Sequence, residues 1–205
     1  GVIDDFGNAG IYEFASIQAV YQDTIFLQNE LIRSYNVNDV VQVVGISSYK
    51  SFKATSEIIG REWNGEKGGI IFLEATDTIT LSANVNGDAI GFTGGDYSTS
   101  SDVICSYTDF YSHYNDGNGG RKGESIVAFG YNDSGRGSFA SGGGGGNNHN
   151  TGGGGGANFG SGGIGGKQAK GCGSSAPNVG GIGGIAYSYP LSQYRLFVGS
   201  GGGGG

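Results

Sequence analysis

Two runs of five glycines flank five polar residues in the sequence Gly-Gly-Gly-Gly-Gly-Asn-Asn-His-Asn-Thr-Gly-Gly-Gly-Gly-Gly, which occupies residues 142–156. Three further glycine clusters follow at residues 162–166, 180–184 and 201–205. The chain has only 2 prolines and no Gly-X-Y repeat, which excludes a collagen triple helix. Such a sequence is typical of a flexible linker. It can also form an ordered framework, in which backbone hydrogen bonds offset the entropy lost when glycine is fixed.

We expect an ordered glycine-rich region at 94–205, because apolar residues interrupt the runs and a strand-rich part precedes them. Glycine can form polyglycine II-like helices, which have the polyproline II geometry with three residues per turn and no internal hydrogen bonds. Without Cβ atoms, such helices can pack side by side and bond to one another. Asn158, Phe159, Ile164 and Ile185 would then fill gaps or lie at the rims. Short strands with tight glycine turns are the alternative.

Residues 1–93 are predicted to be rich in β-strands. β-Branched and aromatic residues alternate with polar ones, and turn residues such as Asn64-Gly65 and Gly68-Gly69 separate the runs. The predicted strands are 11–19, 24–32, 40–46, 58–63, 70–75 and 79–85. The sequence therefore predicts an all-β chain in two parts, 1–93 and 94–205, and we expect both to belong to a longer polypeptide.

Charge and cysteine content limit the partners and the environment. The net charge of −7 disfavours a nucleic-acid partner, and no apolar run is long enough to span a membrane. Cys105 and Cys172 are the only cysteines, so they form one disulfide or remain two free thiols.

No motif in the sequence predicts catalysis, a cofactor or a firm metal site. Residues 160–165 match G-x-G-x-x-G, but neither the preceding strand nor the following helix that dinucleotide binding needs is predicted there. His113 and His149 are the only histidines, and neither has a predicted nucleophile beside it. Asp116-Gly-Asn-Gly-Gly120 resembles the start of a calcium loop, although Val127 stands where the closing Glu is needed. A plain turn is the alternative, and calcium remains the one cofactor considered.

Tyrosine is abundant near the boundary between the two parts. Tyr107, Tyr111, Tyr114 and Tyr131 form a candidate recognition surface, because tyrosine offers a rigid amphipathic ring at low entropy cost. The alternative is that these rings pack over a glycine layer that has little apolar bulk of its own.

The order of several segments resembles the glycine-rich N-terminal regions of very large secreted surface proteins of Bacteroidota. The resemblance covers nearly the whole chain, although Gly91-Phe-Thr-Gly-Gly95 has Thr where the family has Arg. The matching segments are Asn8-Ala-Gly-Ile-Tyr-Glu-Phe-Ala15, Trp63-Asn-Gly-Glu-Lys-Gly-Gly-Ile-Ile71, Gly91-Phe-Thr-Gly-Gly95, Lys122-Gly-Glu-Ser-Ile126, Gly135-Arg-Gly137 and Gly142-Gly-Gly-Gly-Gly-Asn-Asn-His-Asn150.

The resemblance implies an extracellular location on the outer cell surface, export by the type 9 secretion system and a role in adhesion, gliding motility or filament formation. It implies partners in the secretion or outer-membrane machinery, with polysaccharide or self-association as further possibilities. Thr24 and Thr78, each in an Asp-Thr-Ile triplet, resemble the family's short O-glycosylation signal; two strand starts are the alternative. We expect a non-enzymatic adhesin or surface-filament segment. The alternatives are a polysaccharide-binding module of a larger secreted enzyme and the adhesive tip of a phage tail fibre.

Overall fold

The computed structural model describes residues 2–3, 5–99, 105, 107–113, 119–127, 130–147, 149–167, 179–190 and 193–205. These residues are mostly β, as the sequence predicts, and they contain no α-helix. A helix long and apolar enough to cross a bilayer is likewise absent from the described ranges. The strands are β1 (Val2–Ile3), β2 (Ile17–Tyr21), β3 (Thr24–Leu27), β4 (Ser48–Ala54), β5 (Ile58–Ile59), β6 (Glu74–Leu81), β7 (Val85–Asn86) and β8 (Ala186–Tyr187).

The strands form four separate pairs. β2 and β3 form an antiparallel hairpin, and its turn includes Gln22 at a φ of 53°. β4 pairs with β6 and β5 pairs with β7, both in parallel, so these two pairs alternate along the chain. β1 pairs in parallel with β8, which brings the first residues against the last quarter of the chain.

The predicted strand at 40–46 is wrong, and those at 70–75 and 79–85 are not separate, because β6 runs unbroken from Glu74 to Leu81. No strand forms at residues 40–46, where valine dominates; the strand begins at Ser48 instead. Val40 and Val43 are exposed, whereas β4 buries Ala54 and half-buries Phe52. Strand preference reflects the fit of side chains to a half-buried pleated surface. The valine run has no such surface among the described residues.

A small aromatic core joins the two ends of the chain. Phe6, Tyr187 and Phe197 are buried together, and the rings of Phe6 and Phe197 lie 5.1 Å apart between centroids. The Arg195 guanidinium lies over the Phe6 ring and donates hydrogen bonds to the carbonyl oxygens of Gly7, at 2.8 Å, and Ala9. The core therefore fixes the chain near Phe6 to its last strand.

A different kind of core surrounds residues 141–147, which we call the central segment and which are buried throughout. Gly143 and Gly146 donate backbone hydrogen bonds to the carbonyls of Gly201 and Gly204, at 3.0 and 2.8 Å. Three other residues of the central segment donate to other parts of the chain: Gly144 to Ile182, Gly145 to Gly135 and Asn147 to Val179. Two residues of the central segment that are three positions apart therefore bond to the same neighbouring segment of the chain.

The central segment has no room for side chains at its middle positions. A Cβ on Gly143, Gly144 or Gly145 would overlap the backbone carbonyl of Gly154, Arg136 or Gly120, respectively. Gly163, in a later cluster, has no heavy atom within 4 Å of the position that its Cβ would occupy. Glycine is thus required by close backbone approach at some positions and not at others.

Glu124 connects the strand-rich part to the glycine-rich part. Its carboxylate accepts hydrogen bonds from the Trp63 indole N–H and the Thr93 backbone N–H, each at 2.9 Å. The Trp63 ring packs edge to face on Phe92, with centroids 5.3 Å apart. One carboxylate therefore satisfies donors from two separate stretches of the chain.

Glu124→Gln should lower the free energy of unfolding by about 1 to 3 kcal/mol, because the amide supplies only one acceptor oxygen and turns an N–H group toward a donor. Denaturant unfolding followed by the fluorescence of Trp63, the single tryptophan, measures the change. Glu66→Gln, at an exposed position, is the matched control and should stay within about 0.5 kcal/mol of the wild type. Equal effects of the two substitutions would contradict the role of Glu124.

Candidate recognition surface

A short segment, residues 107–113, lies beside residues 134–137. Ser112 and Ser134 exchange two backbone hydrogen bonds, at 3.1 and 3.0 Å, and Gly137 donates to the Phe110 carbonyl at 2.9 Å. Both serines are buried, so the ladder fixes the segment where its aromatic residues emerge.

Aromatic side chains are exposed along this ladder. The junction aromatic surface, as we define it, comprises Phe110, Tyr111, His113 and Tyr131. Tyr111 is 57% exposed and Tyr131 is 73% exposed. The His113 and Tyr131 rings stack with centroids 4.3 Å apart, and the Arg136 guanidinium lies 5.3 Å from the Phe110 ring centroid. The surface therefore exposes aromatic rings to solvent, with a half-buried guanidinium beside one of them.

Lys122 supports this surface from inside and is only 1% exposed. Its ammonium donates hydrogen bonds to the carbonyls of Phe110, at 2.7 Å, Gly135, at 3.0 Å, and Gly137. It also lies 4.7 Å from the centroid of the Tyr111 ring. Burial lowers the pKa of Lys122 to about 8, and the nearby negative charge of Asp133 opposes that shift. One buried side chain thus fastens residues 110, 135 and 137 together.

The structure describes three of the four tyrosines of the predicted recognition surface, whose role in recognition stays a prediction. Tyr111 and Tyr131 are exposed, and Tyr107 is half-buried. Tyr114 lies outside the described residues. Sequence reasoning considered His113 only as a base, but here its ring stacks on Tyr131. Phe110 and Lys122 were not predicted, and neither carries a sequence signal that distinguishes it.

The structure describes only some of the other predicted positions. Cys105 is disulfide-bonded, and Cys172 lies outside the described residues. Thr24, in β3, and Thr78, in β6, are both exposed, so their glycosylation stays a prediction. Residues 116–118 of the proposed calcium loop at 116–120 lie outside the described part, so this site stays a prediction. His149 contacts the Asn150 side chain at 2.9 Å.

No cluster of three metal-ligating side chains occurs in the part of the chain that the structure describes. No protein-family model, curated protein or solved structure matches this chain. The junction aromatic surface is therefore the candidate site that the molecule itself provides.

Proposed function

We propose that this chain is a non-enzymatic, extracellular adhesion module in which a polyglycine II-like framework carries the junction aromatic surface. The observation that carries the proposal is the His113–Tyr131 ring stack beside the exposed Tyr111, where the buried Lys122 holds the segment 107–113 through the Phe110 carbonyl. A rigid aromatic surface binds with little loss of side-chain entropy, which suits recognition of sugars or apolar polymers.

The hydrogen-bond spacing supports the polyglycine II interpretation of the framework. Residues 92, 95 and 98 donate to the carbonyls of residues 199, 202 and 205, and residues 181, 184 and 187 donate to those of 152, 155 and 158. A helix with three residues per turn presents every third residue to the same neighbour. Strands present alternate residues, with a period of two. The three-residue period favours packed polyglycine II-like helices over short strands with tight turns.

The Cys105 disulfide supports an extracellular location, because disulfides persist in oxidising compartments. Export by a type 9 secretion system, attachment to the outer cell surface and a link to gliding motility are part of the proposal through the sequence resemblance alone. The same holds for partners in the secretion machinery.

We expect Tyr111→Ala combined with Tyr131→Ala to weaken adhesion by at least about tenfold, because exposed aromatic anchors dominate binding energy. The measurement is retention of the purified chain on immobilised polysaccharides and on intact bacterial cells. Phe159→Ala combined with Tyr194→Ala is the matched control, since these rings are 60% and 58% exposed. The control should retain wild-type binding.

Three outcomes would decide against the proposal as stated. Equal loss in both double variants, or no retention of the wild type on any surface, would contradict adhesion through the junction aromatic surface. Release of soluble sugar from a polysaccharide would contradict a non-enzymatic role. Retention on one class of polysaccharide alone, lost in the Tyr111 and Tyr131 variant, would favour the polysaccharide-binding module.

A further inference from the structure

The strand-rich part exposes far more apolar side chain than a soluble monomer usually does. Between residues 14 and 59, the side chains of Ile32 and Val37 are 94% and 90% exposed, and Val43 is 76% exposed. The segment from residue 35 to residue 49 carries a single charge, at Asp39. Little electrostatic repulsion would therefore oppose the approach of an identical segment.

The parallel pair β4·β6 is incomplete in a single copy. Parallel sheets occur almost only with both faces covered, and a two-stranded sheet is at best marginally stable alone. In β4 only Ala54 is buried, and no residue of β6 is buried. Among the described residues, neither strand pairs with a second neighbour.

The two strands carry opposite charges. β4 contains Lys50 and Lys53 and no acidic residue, whereas β6 contains Glu74 and Asp77 and no basic residue. Neither lysine forms an ion pair within the described ranges. The salt bridges found there join Arg121 to Asp96 and Asp133. Lysine on an edge strand discourages pairing with most other strands. An acidic strand such as β6 is the exception, because its charge is opposite to that of β4.

We propose that β4 of one copy pairs with β6 of a second copy of this chain. The open edges lie on opposite sides of the pair, so each copy offers one edge of each kind and copies join head to tail. Such an interface forms a closed ring when the rotation between copies closes, and a filament when it does not. This inference stands independently of the proposed adhesive function, because it uses no residue of the junction aromatic surface.

Sedimentation velocity tests the inference across micromolar concentrations. The wild type should form a defined assembly that dissociates on dilution. Lys50→Glu combined with Lys53→Glu should weaken association by at least roughly tenfold, because like charges on facing strands replace opposite ones. Adding Glu74→Lys to these two changes should restore at least part of the association. Asp77 is left in place because its carboxylate accepts a hydrogen bond from Ser51.

Arg61→Glu combined with Lys67→Glu is the control, since it makes the same change in net charge at exposed positions outside both strands. It should assemble like the wild type. A wild type that is monomeric at every concentration overturns the proposal, and so does a charge reversal that leaves assembly intact or is not relieved by Glu74→Lys. If the circular dichroism spectrum shows that the double variant is unfolded, Lys50→Glu alone is compared with the wild type instead.

Discussion

Gly144→Ala is expected to lower the free energy of unfolding by about 3 kcal/mol or more, a large effect for the addition of one methyl group. The Cβ would overlap the backbone carbonyl of Arg136 and approach that of Gly137. Backbone cannot rotate away as a side chain can, so the segments must separate. Separation would weaken the hydrogen bond from Gly144 to Ile182 and that from Gly154 to Gly144.

Gly163→Ala provides the control for this prediction, with the opposite sign. No atom lies near its Cβ position, and its φ is outside the left-handed region. Alanine should therefore stabilise the protein by about 0.4 to 1 kcal/mol, because it restricts the unfolded chain. Urea unfolding of both variants measures the two changes. Similar effects of Gly144→Ala and Gly163→Ala would show that the central segment is not packed by close backbone approach.

The contrast between these glycines explains why the framework is hard to predict in detail. All glycines look alike in the sequence, and periodicity arguments depend on side chains of different polarity. The three-residue period becomes visible only in bonds between distant segments, such as those that residues 143 and 146 make to residues 201 and 204. From the sequence, an ordered framework stays a prediction of two possible kinds, and the segments that would lie side by side in it cannot be named.

Strands and the candidate surface were predictable to different degrees. The mostly-β character followed from local alternation, and β3 lies within its predicted range. The valine run at 40–46 wrongly predicts a strand, because strand preference depends on a partner surface that the local sequence does not show. Tyr111 and Tyr131 were proposed from the chemistry of tyrosine, and the structure shows that both are exposed. The structural role of Lys122 could not be predicted, because its hydrogen-bond partners are backbone carbonyls, which every residue possesses.

Lys122→Met should lower the free energy of unfolding by about 2 to 4 kcal/mol, because buried carbonyls lose a charged donor. The Gly137 carbonyl is the most affected, since the Phe110 and Gly135 carbonyls also accept backbone hydrogen bonds from Gly137 and Gly145. Lys167→Met, at an exposed position, is the matched control and should stay within about 0.5 kcal/mol of the wild type. Equal losses in the two variants would contradict a structural role for the buried ammonium.

The pH dependence of this loss tests the state of the buried amine. The pKa of Lys122 is about 8 in the folded protein, against an ordinary value of 10.5. Between these values the unfolded chain binds more protons than the folded chain, so the stability contributed by Lys122 rises with pH. The difference in unfolding free energy between the wild type and Lys122→Met should therefore widen as the pH rises from about 8 towards 10.5. If this difference in unfolding free energy narrows instead, the folded protein favours the charged form of Lys122. The hydrogen bonds of the ammonium would then outweigh the cost of its burial, and its pKa would lie above the ordinary value.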